Sequence, residues 1–181
     1  MPITQILNID QFLMRFINIG MANPFFDSMM VFVTHVGSLY LWILIAGAFL
    51  IRKKVAGIAL TLGLIINSAL IFLFKNVFMR ARPESIIEGI RVLVTETNAS
   101  FPSGHTSTAF VGAVVLSHYY PHGKPIFYSL AGLIALSRVY VGVHFPIDVI
   151  VGGVVGYLVA NAVLKLPLTK YSKRLGFDRK L

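Results

Sequence analysis

There is no cysteine among the 181 residues. Disulfides, thiolate nucleophiles, iron–sulfur clusters and cysteine-ligated zinc are excluded together. Charge is scarce as well: charged residues make up 13% of the chain, against about a quarter in a typical soluble domain. Acid is scarcest, with 7 Asp+Glu facing 16 Lys+Arg and a formal net charge of +9. There is no low-complexity tract and no repeat of fixed period, and the length leaves room for one ordinary domain but not two. What fills the chain instead is apolar. Hydrophobic residues account for 56% and the mean hydropathy is +0.79, which excludes a disordered chain and argues against a soluble globular one. On a soluble protein the basic excess would suggest nucleic acid. Here it points to loops that meet anionic lipid headgroups.

A membrane-crossing helix needs roughly 20 mainly apolar residues. Five stretches approach or meet that, at about 28–51, 55–74, 104–120, 125–143 and 146–164. Residues 1–22 read differently. Asn8, Gln11, Arg15 and Asn18 fall on one stripe at helical spacing, and Ile6, Ile9, Leu13, Phe16 and Ile17 on the other. That pattern predicts an amphipathic helix in the membrane interface. Asp10 and Arg15 interrupt any signal-peptide core, and Asn23-Pro24 suits a cap and first turn for the helix that follows. The predicted fold is therefore an all-α membrane bundle: a single domain over 1–181, with an interfacial helix, five spans and a basic tail at 165–181.

The basic residues sort by side. Arg52, Lys53, Lys54, Lys124, Lys165, Lys170, Lys173, Arg174, Arg179 and Lys180 all fall at one end of the spans, with Asp178 as their only acid. By the positive-inside rule that end is cytoplasmic. Arg15, Lys75, Arg80, Arg82, Arg91 and Arg138 fall at the opposite, outer face.

Three outer-face segments hold nearly all the unusual polar residues. In the first, Lys75 and Arg82 are seven apart, nearly two helical turns, so both would face one way. Pro83 pushes Arg82 to an extended conformation and ends the helix about there. Two aligned cations suit an anion, although snorkelling anchors would look the same. The second segment, Ala99 to Ser107, sets Ser103, Gly104 and His105 at a helix start, where free N–H groups bind anions and glycine allows close approach. A well-capped helix with an incidental histidine is the plainer reading. The third runs from Ser137 to Asp148. Arg138 and Asp148 lie within apolar stretches, where ionisable groups are costly and by default paired or functional. His144 and Asp148 are one turn apart, so the carboxylate can hold one imidazole nitrogen and leave the other free to attack. A lone favourable charge at a helix N-terminus would account for Asp148 but for neither Arg138 nor His144. The remaining polar residues receive plainer assignments. His35 is read as a packed or hydrogen-bonded histidine, His118 and His122 as lying away from the chemistry, and Asn67 and Ser68 as interhelical hydrogen-bonders. Gly152, Gly156 and Ala160 form a small-residue stripe for close helix packing, and residues 84–98 a cover over the site.

Taken together, Lys75-x6-Arg82-Pro83, Pro102-Ser103-Gly104-His105 and Ser137-Arg138-x5-His144-x3-Asp148 resemble the three-part signature of the type-2 phosphatidic acid phosphatase superfamily. All eleven specified positions match in order across residues 75–148. An interfacial helix in place of one span departs from the six-span form of many members. The resemblance implies an integral membrane phosphatase acting on a lipid phosphate or diphosphate in the outer leaflet of the plasma membrane. Undecaprenyl diphosphate is the first candidate, and phosphatidylglycerophosphate, phosphatidate and a lipid A phosphate are alternatives. It implies His144 as the nucleophile that becomes a phosphohistidine, Asp148 as its orienting carboxylate and His105 as the acid for the leaving oxygen. Lys75, Arg82, Ser103, Gly104 and Arg138 would bind the phosphoryl oxygens, with no metal or other cofactor and with vanadate as an inhibitor. A vanadate-dependent oxidase and a non-enzymatic lipid transporter with a relic site are the readings from other classes.

Overall fold

The computed structural model describes residues 3–52 and 54–169. Lys53 and the predicted tail from residue 170 onward lie outside the described residues. Every regular element among the described residues is helical: α1 (Ile3–Arg15), which runs into a π-helical turn at Phe16–Gly20, α2 (Pro24–Val36), α3 (Leu39–Arg52), α4 (Lys54–Phe78), α5 (Pro83–Ile86), α6 (Gly104–Tyr119), a 3₁₀ turn at Pro121–Gly123, α7 (Lys124–Tyr140) and α8 (Pro146–Leu164).

Local rules account for several boundaries. Asn23 caps α2 by accepting from the Phe25 N–H at 2.9 Å, with Pro24 at the first helical position, as the pair predicts. Ser103 caps α6 in an extended conformation and accepts from Thr106 N. Asp148, in the first turn of α8, accepts from the Phe145 N–H at 2.9 Å. The stretch Val55–Ile86 and α8 are each long and apolar enough to cross a membrane, while Thr4–Gly20 and Pro24–Val36, bent by 118° against each other, pass the same test only as a pair.

Two helical readings differ from expectation. The stretch 28–51 is not one helix: it stops at Val36 and restarts at Leu39. Gly37 packs so closely on α7 and α6 that a Cβ there would strike the Ile134 side chain and lie 3.4 Å from His105 Cβ. Ser38 then accepts from Leu41 N and opens the next helix. Hydropathy does not register such a break, because both halves are apolar. The N-terminal helix forms, but its sides are used differently. Asp10, Met14 and Asn18, four residues apart, are buried, while Ile6, Ile9, Phe12, Leu13 and Phe16 are exposed. Turning polar groups inward and apolar groups outward is the arrangement that suits hydrocarbon rather than water outside.

α6 is the central helix, packed on α8, α7 and α4, while α3 lies on α4 and α2 on α7. The α6–α8 seam is built from the predicted small residues. Gly152 approaches the Ser103 carbonyl so closely that a Cβ would lie 2.5 Å from it, and one on Gly156 would collide with the Ser107 carbonyl. On the other side of α6, the ring of Trp42 fills the space over Gly112. Because chain direction alternates, the C-terminal ends of α4 and α7 and the N-terminal ends of α6 and α8 share one face. The ends bearing Arg52, Lys124 and Lys165 lie at the other.

Candidate active site

At that shared face lies a cavity of about 260 Å³ lined by Lys75, Arg82, Gly104, His105 and His144 on its polar side. Leu39, Ile71 and Phe72 form its apolar side. Residues from all three sequence segments thus meet in one place. Arg138, Ser103 and Asp148 stand directly behind these lining groups and are buried.

The first segment reaches the site by a route unlike the one its spacing predicts. α4 ends at Phe78, Met79 takes a left-handed φ of 44° and Arg82 is extended at φ −80°, ψ 160°. Lys75 and Arg82 therefore do not share a helix face. They meet instead at Asn98, whose Oδ1 accepts from Lys75 Nζ at 3.0 Å and from Arg82 Nη2 at 2.7 Å. Lys75 also donates to the Ala99 carbonyl. Arg82 Nη1 and Nε donate to the carbonyls of Val143 at 2.5 Å and Asn98 at 2.8 Å.

His144 precedes α8 rather than lying on it, in the turn that Gly142 makes at φ 93°. A Cβ on Gly142 would collide with the Arg91 carbonyl, so both the backbone angle and the close approach require glycine there. His144 Nδ1 lies 3.6 Å from Asp148 Oδ2, too far for a hydrogen bond but close enough for strong Coulombic coupling in a dry site. Ser100 bridges the gap: its hydroxyl donates to Asp148 Oδ2 at 2.5 Å and lies 3.4 Å from His144 Nδ1. Burial pushes the His144 pKa down to about 3, with Arg138 and Arg82 adding to the effect and the neighbouring Asp148 opposing it. The ring is neutral at ordinary pH.

Four residues with no role in the sequence reading belong to this constellation. Ser100 is one. Arg80 is the second, donating to Asp148 Oδ1 at 2.5 Å and to Asp10 Oδ2 at 2.7 Å, with its guanidinium 4.1 Å over the Phe145 ring. Asn98, the common partner of Lys75 and Arg82, is the third. Glu96 is the fourth, and it adds a direct contact with the site to the reading of residues 84–98 as a cover. Its carboxylate receives Arg138 Nη2 at 2.6 Å and lies 3.8 Å from Arg82 and 3.9 Å from His105 Nδ1. Burial alone would raise the Glu96 pKa, but Arg138, His105 and Arg82 outweigh it and hold the carboxyl below its usual range. Arg138 Nη1 donates to Thr34 Oγ1 at 2.6 Å, while its buried Nε has no hydrogen-bond partner among the described residues. Short polar side chains and ion pairs between distant segments carry no spacing signal. Only the richness of acids in an otherwise acid-poor chain pointed towards Glu96. Among the described residues, no group of three or more His, Asp or Glu is arranged to hold a metal ion.

Residues 56–172 match the family model of the PAP2 superfamily. The chain belongs to that superfamily. Among PAP2 relatives, an undecaprenyl-diphosphatase of Sulfolobus acidocaldarius is 33% identical over 153 residues, covering 82% of this chain and 74% of the relative. The crystal structure of Aquifex aeolicus LpxE superposes with a TM-score of 0.81 at 34% identity, covering 85% of this chain and 93% of that one. A transmembrane PAP2 type phosphatidylglycerolphosphate phosphatase from Bacillus subtilis superposes with a TM-score of 0.75 at 27% identity, covering 97% and 90%. Family membership supports lipid phosphatase chemistry for this PAP2 chain and fits the membrane character of its apolar helices.

Proposed function

We propose that the chain is an integral membrane phosphatase that removes a phosphate from a lipid phosphate or diphosphate through a phosphohistidine intermediate. The observation that carries this reading is the meeting of Lys75, Arg82, Gly104, His105 and His144 around one cavity, with a buried carboxylate behind the nucleophile. His144 Nδ1 is turned to Asp148 and Ser100, which leaves Nε2 for phosphorus. Nε2 attacks, the bond from phosphorus to the leaving oxygen breaks, and His105 supplies the proton that oxygen needs. Water then attacks phosphorus, His105 takes its proton, the P–N bond breaks and phosphate departs. Asp148 offsets the positive charge that His144 acquires in both steps. Lys75, Arg82 and Arg138, with the Ser103 hydroxyl and Gly104 N–H at the start of α6, stabilise the equatorial oxygens. These fixed cations do the work a divalent metal does in many phosphoryl transfers.

The apolar wall of Leu39, Ile71 and Phe72 lets lipid tails stay among the helices while the headgroup enters. A polyprenyl diphosphate is our first substrate, supported by the identity to an undecaprenyl-diphosphatase. The basic ends of α3, α7 and α8 would face the cytoplasm, placing the site and α1 at the outer surface of the plasma membrane.

The test is phosphate release by purified protein in detergent, across polyprenyl diphosphate, phosphatidylglycerophosphate, phosphatidate and a lipid A phosphate, with excess EDTA present. We expect release from at least one of them, inhibited by vanadate and highest with the polyprenyl diphosphate. Protein that releases no phosphate from any of the four, or only without EDTA, overturns the reading.

A further inference from the structure

We propose that Asp10 is a positioning residue: acting through Arg80, it makes the N-terminal helix part of the device that holds the Asp148 carboxylate against His144. The inference rests on the phosphatase reading above. Asp10 is 5% exposed although it sits on a helix whose neighbours Ile6, Ile9, Phe12 and Leu13 are all exposed. A lone buried carboxylate is costly, so its partners matter. It has two. Asp10 Oδ2 accepts from Arg80 Nη2 at 2.7 Å, and Oδ1 accepts from the Ile147 N–H, in the first turn of α8, at 2.9 Å. One side chain of α1 therefore grips both the helix that carries Asp148 and the arginine that touches it.

Arg80 divides its two terminal nitrogens between two carboxylates, Asp10 and Asp148. That sharing has a chemical consequence. A guanidinium paired with Asp148 alone would take up most of its negative charge and draw it away from His144. Held between two acids, Arg80 fixes Asp148 Oδ1 in place, while Oδ2 remains for Ser100, Phe145 N–H and His144. The backbone of Arg80 acts in the same direction, since its carbonyl accepts from Ser100 N at 2.8 Å and so sets the serine whose hydroxyl bridges Asp148 and His144. Met14, one turn after Asp10, packs with Phe145 and Val149 on either side of the Asp148 turn. The outward side of α1 is apolar and exposed, and its inward side reaches the Asp148 carboxylate through Arg80.

The experiment compares Asp10→Asn with the parent on the lipid phosphate it turns over, expressing kcat per vanadate-binding site so that misfolded protein drops out. We expect kcat to fall about 10–100-fold, the scale for small misplacements of a reacting group, with KM and vanadate affinity within about twofold of the parent because the cations of the cradle are untouched. Because Asp10 acts through Arg80, adding D10N to Arg80→Gln should change kcat by less than about twofold. A D10N kcat equal to the parent's, a loss confined to KM, or losses that multiply in the double variant would each overturn the proposal. If D10N yields no vanadate-binding protein, Arg80→Lys carries the test. Lysine keeps the charge but lacks the planar fork that spans two carboxylates, so the same fall in kcat at unchanged KM is expected, and a parent-like kcat refutes it. A parent protein inactive on every lipid phosphate would fail the functional reading instead, so the two failures are distinct.

Discussion

The two sides of the cavity are held by different physics. His144, Asp148, Ser103 and Gly104 are mounted on the α6–α8 seam, where backbone meets backbone. The Ser103 N–H donates to the Asp148 carbonyl at 3.0 Å, and Gly152 and Gly156 leave no room for a Cβ. Residues 87–102, which bring Glu96, Asn98 and Ser100, have no helix of their own. They are held by point contacts. Asn18 exchanges hydrogen bonds with the backbone of Arg91 at 2.8 Å, Arg91 pairs with Asp27, Leu93 N donates to Val141, and Glu96 pairs with Arg138. The packed seam has two states, formed or broken, whereas a chain of ion pairs can open piecemeal. The proposed nucleophile, His144, is thus on the rigid side, and the groups that would have to yield to an incoming phosphate are on the adaptable side.

The largest effect should separate the two histidines. His144→Ala removes the proposed nucleophile, and turnover should fall by at least about a thousandfold for every substrate. His105→Ala, on the proposed roles, removes only proton transfer, worth about 10²–10⁴-fold. Its loss should shrink when the leaving group needs no proton, as with p-nitrophenyl phosphate, while that of H144A should not. Phosphate release from both substrates measures this. Equal losses on both substrates for H105A would take His105 out of the acid role.

Next comes the seam itself. Gly156→Val forces a branched side chain against the Ser107 carbonyl of the facing helix, and overpacking of that sort costs about 1–3 kcal/mol. Asn18→Ala strips a buried amide from the Arg91 and Tyr140 carbonyls and the Arg91 N–H, a loss of similar size. The two should differ in where the damage appears. G156V should lower the thermal unfolding midpoint of the whole molecule. N18A should open residues 87–100 to limited proteolysis well below that temperature. Uniform unfolding of both would erase the distinction drawn between the two sides.

A smaller effect is expected at Glu96, on the adaptable side. Its ionised carboxylate sits against Arg138, Arg82 and His105, the place a phosphate oxygen would take. An incoming anion must compete with it. Glu96→Gln should therefore tighten vanadate inhibition by about tenfold, equivalent to ~1.4 kcal/mol, even if turnover suffers. Weaker vanadate inhibition would instead make Glu96 a supporting member of the cradle.

What the sequence disclosed divides along the same line. Caps, the glycine stripe and the three motifs obey rules of spacing a few residues long. Ser103, Asn23-Pro24, Gly152 and Gly156 stand where those rules put them. The pairing of Lys75 with Arg82 was expected for a reason the structure replaces: the shared partner is Asn98, and the helix between them ends at Phe78. The break at Gly37 escaped because it depends on what Ile134 of another helix places there. Asp10, Arg80, Ser100 and Glu96 could not be assigned, since each gains its meaning from a partner 42 to 70 residues away. In a chain with so few acids, asking which base each acid neutralises would have been the best clue.

The smallest expected effect is a flat line. An unperturbed imidazole titrates near 6.5, but burial takes His144 to about 3. A lowered pKa means that the ring stays neutral, and nucleophilic, at every pH above that value. In NMR of protein labelled in its histidine rings, the signal lost in H144A should not titrate between about pH 5 and 8, whatever the exposed His35 and His122 do. The same shift has a sign for stability. With the folded pKa below the unfolded one, the unfolded chain takes up this proton first. The contribution of His144 is then fully present above about pH 6.5 and is lost progressively as pH falls towards about 3. The midpoint of thermal unfolding should fall less steeply with acid in His144→Phe than in the parent. A His144 signal that titrates near 6.5 would show the ring in water, and the rigid side of the cavity would then be as open as the adaptable one.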